Sequence, residues 1–144
     1  MSTVASVLYN LNYFTLDTTV SPNAYILNRI RDLAFQAQNV FYDPFYQVGT
    51  SVLPITSPVS VIQVAMILNL STTEAVNVFV TPNGGSQQNS GTVLQTASAS
   101  GLVGGFFLYM NPIASPSVGP AGGLSAISVN SGAAGIPCEV LLAG

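Results

Sequence analysis

The chain has no histidine, no lysine and no tryptophan, one cysteine, and only seven charged side chains in 144 residues. Each absence removes a class of chemistry. Without histidine there is no Ser-His triad, no Cys-His dyad, no imidazole acid/base catalysis and almost no zinc site. Without lysine there is no Schiff base, no Ser-Lys hydrolysis and no Walker A loop. Cys138 has no second cysteine to pair with, so no intrachain disulfide forms. Arg29 and Arg31 are the only cations, too few to neutralise a nucleic-acid backbone, and no nucleic-acid partner is expected.

Long hydrophobic runs are missing as well. Residues 59–70 are interrupted by polar side chains and residues 101–110 end at Asn111-Pro112, so neither spans a bilayer as a helix. The start, Met-Ser-Thr-Val-Ala-Ser-Val, has neither a basic n-region nor an apolar h-region, and there are no regular strands with aromatic girdles. These features predict a product made in the cytoplasm with no membrane partner. No clustered Asp-x-Asn-x-Asp loop offers a calcium site, and Gly101-Leu102-Val103-Gly104-Gly105 lacks the spacing of a dinucleotide fingerprint. Close packing or a bulge is the better account of those glycines, and no cofactor or metal is expected.

The scarcity of charge is the most informative lack. Charged residues make up 5% of the chain, against about 25% in ordinary domains. Apolar residues stand at 49%, an ordinary share, so Ser, Thr, Asn, Gln and Gly have replaced the ions. Such a surface is poorly defended against association, and interface cores are the surfaces depleted in Lys, Glu and Asp. The expectation is a subunit of a large assembly; the plainer reading is a lightly charged secreted β-domain.

What is present reads as one domain with strands throughout. In residues 59–81, Ile62, Val64, Met66, Leu68 and Leu70 alternate on one side of a first segment. Val76, Val78 and Val80 do so in a second, beyond Ser71-Thr72-Thr73-Glu74. The pattern predicts a β-hairpin with one apolar face. Residues 92–97, 104–110, 124–129 and 138–142 add further strands, and Pro44, Pro54 and Pro58 frame a short edge strand near 47–55. Three prolines keep 111–123 out of any central ladder. Six or seven short strands with Gly, Pro, Ser and Asn punctuation predict a mainly β fold, a β-sandwich or jelly-roll-like domain.

Two segments stand apart. Residues 1–20 form an N-terminal arm, an edge strand or an extended piece, whose Leu8, Tyr9, Leu11, Tyr13, Phe14 and Leu16 would dock on a partner. Within the single β-rich domain of 21–144, Ser21 can cap and Pro22 can begin a helix. Ile26, Ile30, Leu33, Ala34 and Ala37 recur at helical spacing, predicting a helix over 22–38. Tyr25, Ile30 and Phe35 also suit a strand, which is the alternative. The polar loop 82–91 is a candidate exposed tip presenting Asn83, Gly84, Gly85, Gln87 and Gln88.

Only five carboxylates remain for catalysis: Asp17, Asp32, Asp43, Glu74 and Glu139. A glycosidase needs two, but each acid has an ordinary account: Asp32 beside Arg29, Asp43 before a turn proline, Glu74 in a loop. Cys138 alternates with Val140 and Leu142, as a small buried hydrophobe would. The chain is therefore not expected to be an enzyme.

The arm 1–20, the stretch 59–81 and the Pro/Gly/Ala-rich tail 124–144, nearly free of charge, together resemble the structural proteins of tailed bacteriophage particles, in particular the capsid decoration or cement class. That resemblance implies a β-rich homotrimer on the outer face of a capsid, bound to the major capsid protein and to copies of itself, with its arm or loops bridging neighbours against internal pressure. The helix predicted over 22–38 departs from the simplest members of that class. Other expectations are a different virion component (minor capsid, tail or major coat jelly roll) and a carbohydrate-binding β-sandwich using the loop 83–91. A carboxylate-dependent hydrolase is the remaining enzymatic one.

Overall fold

A computed structural model of the protein describes residues 5–17, 24–88, 90–97, 104–111 and 122–144, of which 5–17 and 24–36 are described through their backbone alone. Ten strands follow one another: β1 (Ala5–Asp17), β2 (Ala24–Ala37), β3 (Val40–Val48), β4 (Leu53–Pro54), β5 (Val64–Asn69), β6 (Val76–Pro82), β7 (Thr92–Leu94), β8 (Phe106–Met110), β9 (Leu124–Ser131) and β10 (Ile136–Ala143). Among the described residues there is no helix.

From β3 onward the pairing is that of one long hairpin folded on itself. The first strand pairs with the last, β3 with β10, and then β4 with β9, β5 with β8 and β6 with β7, all antiparallel. Wrapping that hairpin brings β10 against β5 and β9 against β6. The result is two four-stranded sheets, β3-β10-β5-β8 and β4-β9-β6-β7. Eight antiparallel strands in that order form a jelly roll. The sheets enclose one core, with Ile67, Cys138, Val140 and Leu142 from one and Val76, Val78, Leu94, Ile127 and Val129 from the other. The expected β-sandwich or jelly-roll-like fold is what the chain forms.

Two local expectations are corrected. The segment predicted as a helix over 22–38 is strand β2 from Ala24 to Ala37, paired antiparallel with β1 from Ala5↔Ala37 to Asp17↔Ala24. A helix would leave β1 without a partner; the extended form satisfies both backbones, and Tyr25, Ile26, Ile30 and Phe35 favour a pleated surface. The two strands form a ribbon roughly 40 Å long, paired with no other strand among the described residues.

The predicted hairpin of 59–81 is also not one. β5 and β6 lie in different sheets, and residues 70–75 cross between them. Ser71 Oγ shapes that crossing by accepting hydrogen bonds from Thr73 N at 3.2 Å and Glu74 N at 3.1 Å. Apolar alternation specifies which residues share a face, and β5 and β6 do look at each other, but across the sandwich. The inward residues of β5 are Ala65 and Ile67, not the even-numbered row.

Candidate functional site: an apolar sheet face beside a ribbon

β5, β8 and β10 read Val-Ala-Met-Ile-Leu-Asn, Phe-Phe-Leu-Tyr-Met and Ile-Pro-Cys-Glu-Val-Leu-Leu-Ala. Both alternating rows of each strand are apolar, the pattern of a sheet covered on both faces. One face is the core. The other runs in rows across the strands: Val40, Ala143, Val64 and Met110, then Tyr42, Leu141, Met66 and Leu108, then Glu139, Leu68 and Phe106.

The first of these rows is largely covered by this chain, with Val40 at its edge 36% exposed. Ala37, the last residue of β2, packs with Val64 and Ala143, and all three are buried. Gly144 O accepts hydrogen bonds from Gln38 N at 3.0 Å and Asn39 N at 2.9 Å, fixing the foot of the ribbon there. The other rows are half-buried at Leu141, Met66, Leu68 and Leu108 and open at the two sheet edges, where Tyr42 is 56% and Phe106 62% exposed, and nearby Phe45 is 67% exposed. The opposite sheet turns a mixed face outward, with Asn77, Thr81 and Asn130 beside Phe79 and Val93; Ser128 there is buried, and Asn77 Nδ2 donates to Asn130 Oδ1 at 3.1 Å. The β3-β10-β5-β8 side is the more apolar of the two, its outward rows carrying one ionisable carboxylate and no amide side chain.

Glu139 is the one charge in the open rows. Tyr42 Oη donates to Glu139 Oε1 at 3.1 Å, and that bond, first among its causes, raises the Tyr42 pKa above the ordinary phenol value. At the neighbouring sheet edge Asp43 Oδ1 accepts from Phe45 N at 2.8 Å, holding a bulge in which Pro44 and Phe45 stand against Glu139. Pro44 is tolerated inside β3 because an edge strand with a bulge has a position where no N–H is required.

Residues singled out from sequence fall in two places. Leu8, Tyr9, Leu11, Tyr13, Phe14 and Leu16 all lie in β1; their side chains are outside the described set. Tyr9, Leu11 and Tyr13 stand at alternate positions opposite Leu33, Arg31 and Arg29 of β2. The loop after β6 joins it to β7, its antiparallel neighbour in the same sheet, with Gly84, Gly85, Gln87 and Gln88 exposed and Asn83 half-buried. Gly85 N donates to Pro82 O at 2.9 Å across a turn in which Gly84 has φ +77°, a conformation glycine adopts without strain. Asn89 lies outside the described residues. The face residues Tyr42, Met66, Leu68, Phe106, Leu108 and Leu141 were missed, although apolar residues at both parities of 64–70, 106–110 and 136–143 are the signal that finds them.

Chemistry is sparse elsewhere. Among the described residues no three of Cys, Asp and Glu gather as a metal site. Cys138 is fully buried, and burial pushes its thiol up to about 11. A thiol reagent at pH 8 is therefore expected to modify native Cys138 roughly a thousandfold more slowly than the urea-unfolded chain. Mass-spectrometric labelling rates check this, and equal rates would show that the core opens freely. Compared with known proteins, the chain matches no family model, no curated protein and no solved structure.

Proposed function

We propose that the protein is a non-enzymatic structural subunit of a virus particle, acting as a decoration or cement protein on a phage capsid. The observation that carries the reading is the combination of a jelly-roll body with a nearly uncharged, half-covered sheet face and a long two-stranded ribbon whose foot packs on that face at Ala37. Fold alone assigns no activity, and jelly rolls serve capsids, lectins and cupins alike. Burial by neighbours is what gives an apolar outer face and a separate two-stranded ribbon a purpose. The partners in this reading are the major capsid protein and further copies of the chain, as a homotrimer at the virion surface. Binding rests on many modest contacts multiplied by symmetry, with no turnover.

The strand order favours a second reading in the same setting, a coat jelly roll that builds the shell itself. Particles made without this protein separate the two. A decoration protein leaves intact shells that burst at lower temperature; a coat subunit leaves none. The carbohydrate-binding reading draws less support, because residues 82–91 contain no aromatic ring on which a sugar could stack.

Replacing Tyr9, Tyr13 and Phe14 together by alanine is expected to lower particle occupancy about tenfold or more, because aromatic anchors carry most of such an interface. Quantitative gels of purified particles read this. Unchanged occupancy and unchanged heat resistance would remove the arm from the reading.

A further inference from the structure

The two open rows of the β3-β10-β5-β8 face and the ribbon are complementary in charge as well as in apolar character. The face carries Glu139 as its only ion, with Asp43 at the edge nearby. The ribbon carries the chain's only two cations, Arg29 and Arg31, two residues apart in β2. Residues two apart on a strand share a face, and the register sets Tyr13 and Leu11 opposite them. That ribbon face combines two positive charges with aromatic and aliphatic residues and contains no acid. Asp32 falls in the alternate row, opposite Asn10.

We propose that the Arg29/Arg31 face of the ribbon of one copy lies across the open rows of a second copy, with the arginines meeting Glu139. The inference deepens the structural-subunit reading, from which it takes only the role of the ribbon as a contact arm. Among the described residues the ribbon seats on its own body at Ala37, on the first row, and Tyr42 and Phe106 beyond it remain more than half exposed. A second body placed face to face would bring a further carboxylate and no cation to this face, since Arg29 and Arg31 both lie in the ribbon. A ribbon brings the opposite charge, and each copy both gives one ribbon and receives one, the exchange that builds a reciprocal pair or, where the rotation closes, a ring.

The test is self-association of the full chain by sedimentation and native mass spectrometry in low salt. The wild type is expected to be oligomeric at about 100 μM, and Arg29→Glu/Arg31→Glu and Glu139→Arg are each expected to raise the dissociation constant at least about tenfold. Combining all three substitutions reverses both partners and should restore association to within about threefold. Thermal melts of each variant establish that it is folded. A monomeric wild type, charge variants that associate unchanged, or a combined variant no better than the single ones each overturn the proposal. A charge effect on the melt of a protein that stays monomeric also overturns it, since the ribbon would then serve its own body. Self-association without any binding to particles leaves this contact standing and removes the virion reading instead.

Discussion

Asn69→Leu is expected to cost about 3 kcal/mol or more, a large share of the 5–15 kcal/mol that holds a typical domain folded. Asn69 is fully buried at the end of β5, facing the core that both sheets share. Its Nδ2 donates to three carbonyl oxygens: Glu74 O at 2.9 Å, Leu94 O at 3.1 Å and Gln95 O at 3.1 Å. Its Oδ1 accepts from Ser71 N at 2.9 Å. One side chain thus ties β5 in one sheet to the end of β7 in the other and to the crossing between β5 and β6. Leucine keeps the branched shape but leaves Ser71 N, Glu74 O and Leu94 O without that partner, while Gln95 O retains Gly105 N. Each buried polar group left unpaired costs about 1–3 kcal/mol. Asn69→Asp keeps the acceptor for Ser71 N yet turns a carboxylate toward the carbonyls, so it is expected to be at least as damaging at neutral pH. Urea titration of both variants reads the loss. A leucine variant within about 0.5 kcal/mol of wild type would show that the carbonyls are satisfied without Asn69.

How much of this was legible in the sequence follows from what local pattern encodes. The positions of β5 to β10 were readable to within a few residues, because period-two alternation and Gly, Pro and Asn punctuation act over short range. Strand partners were not. A jelly roll pairs β3 with β10, about a hundred residues apart, and nothing in 40–48 names 136–143 as its neighbour. The connection 70–75 illustrates the point: a four-residue polar link suits a hairpin loop and a sheet-to-sheet crossing equally well. β2 was misread because Ile26, Ile30, Leu33 and Ala37 satisfy a helical repeat while Tyr25, Ile26, Ile30 and Phe35 satisfy a strand. The partner β1 decides between them. At the candidate site the arm residues were visible as an aromatic cluster. The receiving face was hidden, since an apolar row on β5 looks like core whichever way it points.

The second large effect is expected at Gly105, where alanine should cost several kcal/mol and valine should abolish soluble expression. A Cβ built there comes within 2.6 Å of Gln95 N and 2.8 Å of Leu94 Cα, both backbone atoms that no side-chain rotation can clear. At the neighbouring Gly104 a Cβ would overlap Asn69 O. The chain passes so close because Gly105 N donates to Gln95 O at 2.9 Å while Gly105 O accepts from Asn69 N at 3.0 Å, stitching the start of β8 to both sheets. Moving it outward to admit a methyl group breaks both bonds and disturbs the carbonyls that Asn69 holds. A substitution on the open face, Met66→Ser or Leu108→Ser, touches none of these. Those variants should melt within a few degrees of wild type while losing assembly, whereas Gly105→Ala should lower the melting temperature of the isolated chain by 10 °C or more, at roughly 4 °C per kcal/mol. If Gly105→Ala melted like wild type, the pinch between the sheets would not be tight. If the face variants melted as low as Gly105→Ala, the face would be stabilising its own body, with no need of a neighbour to cover it.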